Sequence, residues 1–114
     1  MSQREHITTI QHMRDHACEA VEIAVGRTRD DLDHDRVLNL ALTRLVGIVG
    51  QAAQKLPTDF QERHQAVPWQ HFTDSSLQLI QNYNSVDFDI LWTIVQDDLP
   101  ALIDQLEIIL SKES

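Results

Sequence analysis

Two histidines, His12 and His16, stand four residues apart in a stretch of helical pattern. That spacing lets two imidazoles share a metal ion, with Glu19 as a conceivable third ligand. No His-Glu-x-x-His motif supports the pair, so a solvated polar face is the expected role and no metal is assigned. Asp30, Asp31, Asp33 and Asp35 suggest a calcium loop, but a loop opening at Asp31 needs glycine at its sixth position and glutamate at its twelfth; Arg36 and Leu42 occupy them. Ser75 and Ser76 lack the glycines of a nucleophile elbow. With glycine only at 26, 47 and 50, no phosphate-cradling loop exists and no cofactor is expected. Cys18, the single cysteine, excludes an internal disulfide and a thiolate zinc cage, and is expected to be a small buried apolar residue.

The elements that must position any chemistry are helices. Three glycines, three prolines and the absence of period-two alternation argue against strands. Ser2 and Glu5 form a capping box for a first helix with Ile7, Ile10, Ala17, Val21 and Ala24 inward, and Gly26 stops it. The aspartates then favour the positive end of a second helix. From Val37 to Leu56 the apolar stripe is too wide for one buried face, because Val37, Leu40 and Val46 add to it. Such a helix is either central in a bundle or packs against a second subunit. Thr58 with Gln61 predicts another capping box, and a helix from Trp69 carries Phe72, Leu77 and Ile80 to an exit near Asn82–Ser85. Asp87 or Asp89 opens a fifth helix, and Leu99-Pro100 a sixth. The chain therefore reads as one all-α domain over residues 1–114, an up-and-down bundle of five or six helices. Nine Lys+Arg against eighteen Asp+Glu leave a net charge of −9, which repels a polyanion unless Arg44 or Arg63 is focused at a site. No apolar run reaches the roughly 20 residues of a membrane span. The opening Met-Ser-Gln-Arg-Glu-His has no secretory pattern, and a cytoplasmic location is expected.

The most informative stretch, residues 67–100, reads VPWQHFTDSSLQLIQNYNSVDFDILWTIVQDDLP. Together with RLVGIVGQAA at residues 44–53, it resembles the HepT-like family of the HEPN superfamily, small helical proteins typified by the toxin half of HEPN/MNT toxin–antitoxin pairs. Val67-Pro68-Trp69 is similar to the family's Ile-Pro-Trp turn, and Val86-Asp87, Trp92 and Asp98-Leu99-Pro100 to its ending. The resemblance implies a homodimer. It also implies an RNA-cutting motif: Arg, four to six residues, His, one residue, Tyr. Counted from Trp69, those positions are Ser76, Gln81 and Tyr83.

Two of the three have therefore changed. Metal-independent RNA cleavage needs a group that moves a proton near neutrality, which glutamine cannot do, and a cation on the phosphate, which serine does not supply. His71 lies ten residues before Gln81, about 15 Å along a continuous helix and about 80° off its face, too far to substitute. The family's two glutamates in the long helix are also replaced, by Gly47 and Gln51. In some family members the motif tyrosine accepts AMP from a minimal nucleotidyltransferase antitoxin, which makes Tyr83 the acceptor candidate, against a plain packing role at a helix end.

Three readings follow. The first is a HepT-like protein without RNase activity, acting as a binding or regulatory subunit for a nucleotidyltransferase partner. The second is an active endoribonuclease using unorthodox groups such as Tyr83, Gln81 and a histidine of the other subunit. The third is an orphan helical dimer that binds a ligand or nucleic acid in its cleft.

Overall fold

The computed structural model describes residues 2–80 and 85–113. Gln81 and Tyr83, two of the three motif positions, lie outside the described residues, as does the side chain of Ile80.

Helix α1 (Gln3–Ala24) begins where Ser2 accepts the Glu5 N–H at 3.2 Å. Its buried line is His6, Ile10, Met13, Ala17, Ala20 and Ala24. It ends at Gly26, whose φ of 75° is the left-handed conformation glycine adopts without steric cost. The aspartate run does not open the long helix directly. Asp31–His34 winds a separate turn, α2, and Asp35 then caps α3 (Arg36–Lys55) by accepting the Leu38 N–H at 3.0 Å. Asp31 accepts the Thr28 N–H at 2.7 Å, Arg27 bonds Asp35 at 2.6 Å, and Arg29 bridges Asp33 and Asp89. These carboxylates are thereby committed to capping and pairing. Asp31 and Asp35 are held below the ordinary carboxylate range, first by the backbone N–H bonds and then by Arg27.

Leu56 is extended, as a residue before proline must be, and α4 (Thr58–Arg63) follows. The predicted capping box at its start does not form. Gln61 instead donates to Ala53 O at 3.1 Å, which also accepts the Leu56 N–H, and to Leu56 O at 3.2 Å, tying α4 to the end of α3. Trp69 opens α5 (Trp69–Ile80), and its indole N–H donates to His64 O. Trp69, Phe72, Ser76 and Leu79 form the buried line of α5, whereas Leu77, expected inside, is half exposed. Asp87 caps α6 (Phe88–Thr93) through the N–H groups of Asp89 and Ile90.

The predicted break at Leu99-Pro100 is absent. Helix α6 passes through a π-helical turn, Ile94–Asp98, straight into α7 (Leu99–Glu113). Pro100 has no N–H, and its ring would strike the carbonyl four residues back in a regular α-helix; the wider turn, with Leu99 N–H bonded to Ile94 O, makes room.

Helix α1 packs on both α3 and α7, and α5 lies on the far side of α3. Gln3 of α1 bonds Glu113 of α7, so those two helices run antiparallel. Among the described residues, twenty-five buried apolar side chains join in one cluster, with Phe60, Ile10, Met13, Leu42 and Leu106 among the largest fully enclosed. This is the expected all-α bundle. No strand occurs among the described residues, and no helix there is long and apolar enough to cross a membrane.

Candidate functional site

Ser76, which the count from Trp69 sets at the expected motif arginine, is buried, and its hydroxyl donates to Phe72 O at 2.8 Å in the preceding turn. It sits where α5 crosses α3 over Gly50. A Cβ added to Gly50 would lie 2.0 Å from Ser76 Oγ and 2.5 Å from its Cβ. The position is thus packed between two helices, and its hydroxyl is spent on the backbone.

One turn earlier on α3 the packing stops. Nothing lies within 4 Å of a Cβ built on Gly47. Gly47 lines a cavity of about 610 Å³ between α3 and the segment Ser85–Phe88. Helix α3 contributes Arg36, Asn39, Leu40, Thr43, Arg44, Gly47 and Gln51, and the facing segment contributes Ser85, Val86 and Phe88. Arg36, Leu40, Arg44, Gly47 and Gln51 recur at intervals of three and four, so they form one continuous stripe of the helix.

The cavity is cationic in a strongly acidic chain. Its described lining holds two arginines and no carboxylate, and the intervening Gln81-Asn82-Tyr83-Asn84 carries none in sequence. Among the described residues, Arg14, Arg27 and Arg29 are ion-paired, while Arg36 and Arg44 are not. Arg36 is held in place by a neutral partner instead. It donates to Asn39 Oδ1 at 3.2 Å, and the buried Asn39 anchors its own amide on Leu32 O at 2.9 Å. Of the two arginines considered from sequence, Arg44 lies in the cavity and Arg63 does not; Arg63 covers the Phe60 ring at 5.4 Å. The sequence reading had missed Arg36. Its spacing of four residues to Leu40 and eight to Arg44, one helical stripe, is the signal in the sequence.

No imidazole joins these arginines. His16 Nδ1 donates to His12 O at 2.7 Å, and His34 Nδ1 to Asp30 O at 3.0 Å. His71, at the start of α5, pairs with Asp98 of the π turn at 3.0 Å. His6 and His64 flank Phe60, with ring centroids 5.0 and 4.7 Å away, and His64 Nε2 lies 3.3 Å from Glu113. His12 is exposed on α1. None of the six lines the cavity. Among the described residues no three His, Cys, Asp or Glu side chains are grouped to hold a metal ion. Cys18 is half-buried rather than enclosed, and burial, followed by the charge of Glu107, pushes its thiol above the ordinary range.

Comparison with known proteins agrees with this frame. A family model described as ribonuclease HepT-like matches residues 13–109. A protein of Caldanaerobacter subterraneus subsp. tengcongensis named "Putative RNase TTE0752" is 34% identical over 93 residues, covering 82% of this chain and 83% of its own. The "Probable ribonuclease HepT" of Thermococcus cleftensis is 32% identical over 93 residues, covering 78% of this chain and 84% of its own. No solved structure matches the chain. A family match over residues 13–109, with relatives above 30% identity across more than three quarters of each chain, on an all-helical bundle, shows that the chain belongs to the HepT-like ribonuclease family.

Proposed function

We propose that this HepT-like protein does not cut RNA by the motif chemistry of its family and acts as a binding or regulatory subunit. The observation that carries this is the burial of Ser76. The place where the motif calls for a phosphate-gripping guanidinium holds a hydroxyl bonded to Phe72 O and packed over Gly50. Glutamine at 81 has no titration near neutrality, and each histidine of the chain is placed away from the cavity. The protein works in the cytoplasm as a homodimer. On α3, Val37 is 78% exposed and Leu40, in the cavity lining, 51%, and a second copy that covers them would turn the cavity into a shared cleft. A minimal nucleotidyltransferase is the proposed partner, with Tyr83 as the AMP-accepting residue.

The test is incubation of the purified protein with total tRNA, beside a Tyr83→Phe variant and a Ser76→Arg, Gln81→His double variant. Wild type is expected to leave the tRNA intact. A specific observation favours a second reading, retained endoribonuclease activity with unorthodox groups: Arg36 and Arg44 offer guanidiniums that the motif position lacks. Cleavage by wild type that disappears in Tyr83→Phe would establish that reading and overturn the first.

A further inference from the structure

The geometry points to a docking groove at the junction of α4, α5 and the π turn: we infer that it receives a basic segment of a partner protein, with one arginine side chain in the cavity between α5 and the π turn and the neighbouring residues in the hollow beside α4. The groove shares no residue with the arginine-lined cavity on α3 and does not depend on the non-cleaving reading.

The shape follows from the break at Val67-Pro68. It leaves a cavity of about 280 Å³ between the start of α5, the π turn and the start of α7, and a shallower hollow of about 380 Å³ against α4. Pro68 and His71 line both, so the two adjoin. The smaller volume falls below the roughly 300–1,000 Å³ of small-molecule pockets and suits a single long side chain. Charge selects that side chain. Neither described lining holds a lysine or an arginine, whereas Asp97 and Asp98 line the cavity and Glu62 the hollow. The aspartates at the start of α3 are spent on Arg27 and Arg29, but Asp97 and Glu62 have no ion pair among the described residues. His71 Nε2 donates to Asp98 Oδ2 at 3.0 Å, which fixes this carboxylate at the cavity and leaves Oδ1 for an incoming donor. A net charge of −9 attracts cations over the whole surface, and a concave site with apolar walls focuses that field. An exposed ion pair alone contributes little, so the walls matter: Phe72, Ala101 and Leu102 cover the methylenes of an arginine while its planar fork meets the carboxylates. In an extended segment, side chains two residues apart share one face about 7 Å from each other, so an apolar residue beside the arginine can enter the hollow against Val67, Pro68 and Trp69.

Amide NMR titration of the full chain with the peptide acetyl-Gly-Arg-Gly-Leu-Gly-amide, its citrulline counterpart, a counterpart with glycine for leucine, and spermine tests the inference. The arginine peptide is expected to give saturable shifts at Phe72, Asp97, Ala101 and Gln105. Citrulline, which keeps the shape without the charge, should bind at least tenfold more weakly, and loss of the leucine should weaken binding severalfold. Asp97→Lys and Ala101→Leu should each weaken the arginine peptide at least tenfold, the first by charge and the second by filling the cavity, whereas Glu19→Lys on α1, with the same change in net charge, should leave it unaltered. Asp97 and Ala101 are exposed, so thermal unfolding close to wild type will show that both variants fold. Absence of shifts at these residues, equal affinity for the citrulline or glycine counterpart, tighter binding of spermine than of the peptide, or indifference to both Asp97→Lys and Ala101→Leu would each overturn the inference. Dissociation of a wild-type dimer by Asp97→Lys in light scattering would do so too, by assigning the groove to a second copy of the chain.

Discussion

Gly50 and Gly47 sit one turn apart on the same helix and have opposite reasons to be glycine. At Gly50 the backbone of α3 is pressed so closely by α5 that Ser76 fills the space a Cβ would need. At Gly47 the space is open and belongs to a cavity lined by arginines. The first glycine is demanded by packing, while nothing in the fold demands the second. One turn of helix therefore separates the scaffold of this family member from the surface that is free to change its chemistry.

The largest stability effect is expected at the packed glycine. Gly50→Ala drives a methyl into Ser76, and overpacking of this kind costs about 1–3 kcal/mol. Urea denaturation should register it, and Ser76→Gly in the same chain should return part of the loss, giving a positive coupling in a double-mutant cycle. An unchanged midpoint in Gly50→Ala would mean that the two helices are not in contact as described. The open glycine should respond with the opposite sign. Gly47→Ala meets no atom within 4 Å and gains the helix propensity of alanine, about 0.5–1 kcal/mol of added stability. If it destabilises, the cavity is not open. The proposed homodimer gives a third test on the exposed Val37 and Leu40: wild type should scatter light as a dimer, and Val37→Glu and Leu40→Glu as monomers with the helical signal retained.

Smaller effects belong to the capped start of α3. Asp31 and Asp35 have folded-state values below their unfolded ones, so their stabilisation is fully present above the ordinary carboxylate range and is lost as pH falls through the folded values. Asp35→Asn should lower the melting temperature at neutral pH and flatten its decline on acidification. A melting temperature that falls just as steeply in the variant would place the acid sensitivity elsewhere. The smallest is chemical: Cys18, with its thiol pushed up by burial and Glu107, should react with a disulfide reagent at pH 8 more slowly than free cysteine does.

Local signals in the chain were read correctly wherever one element satisfies itself. Ser2 before α1 and Gly26 after it are settled within a few residues, as is the choice of Asp87 over Asp89 as the cap of α6. Readings failed where a distant element took over a side chain. Gln61 was expected to cap its own helix and instead closes the end of α3, and Leu77 was placed inside when the crossing with α3 puts Leu79 there. Pro100 looked like a helix start because its covalent chemistry is visible, but the π turn that absorbs it depends on the packing of Ile94, Val95 and Leu99 in the core.

The candidate site divides along the same line. Residue types alone established that positions 76 and 81 carry neither guanidinium nor imidazole, since identity is a property of each position. Only the folded chain decided that Ser76 is sealed under α3, that Arg63 is spent on Phe60, and that Arg36 and Arg44 meet Val86 and Phe88 around one cavity. Local preference acts over a few bonds, whereas a cavity exists between surfaces distant in sequence, and its charge is the sum of what those surfaces bring together.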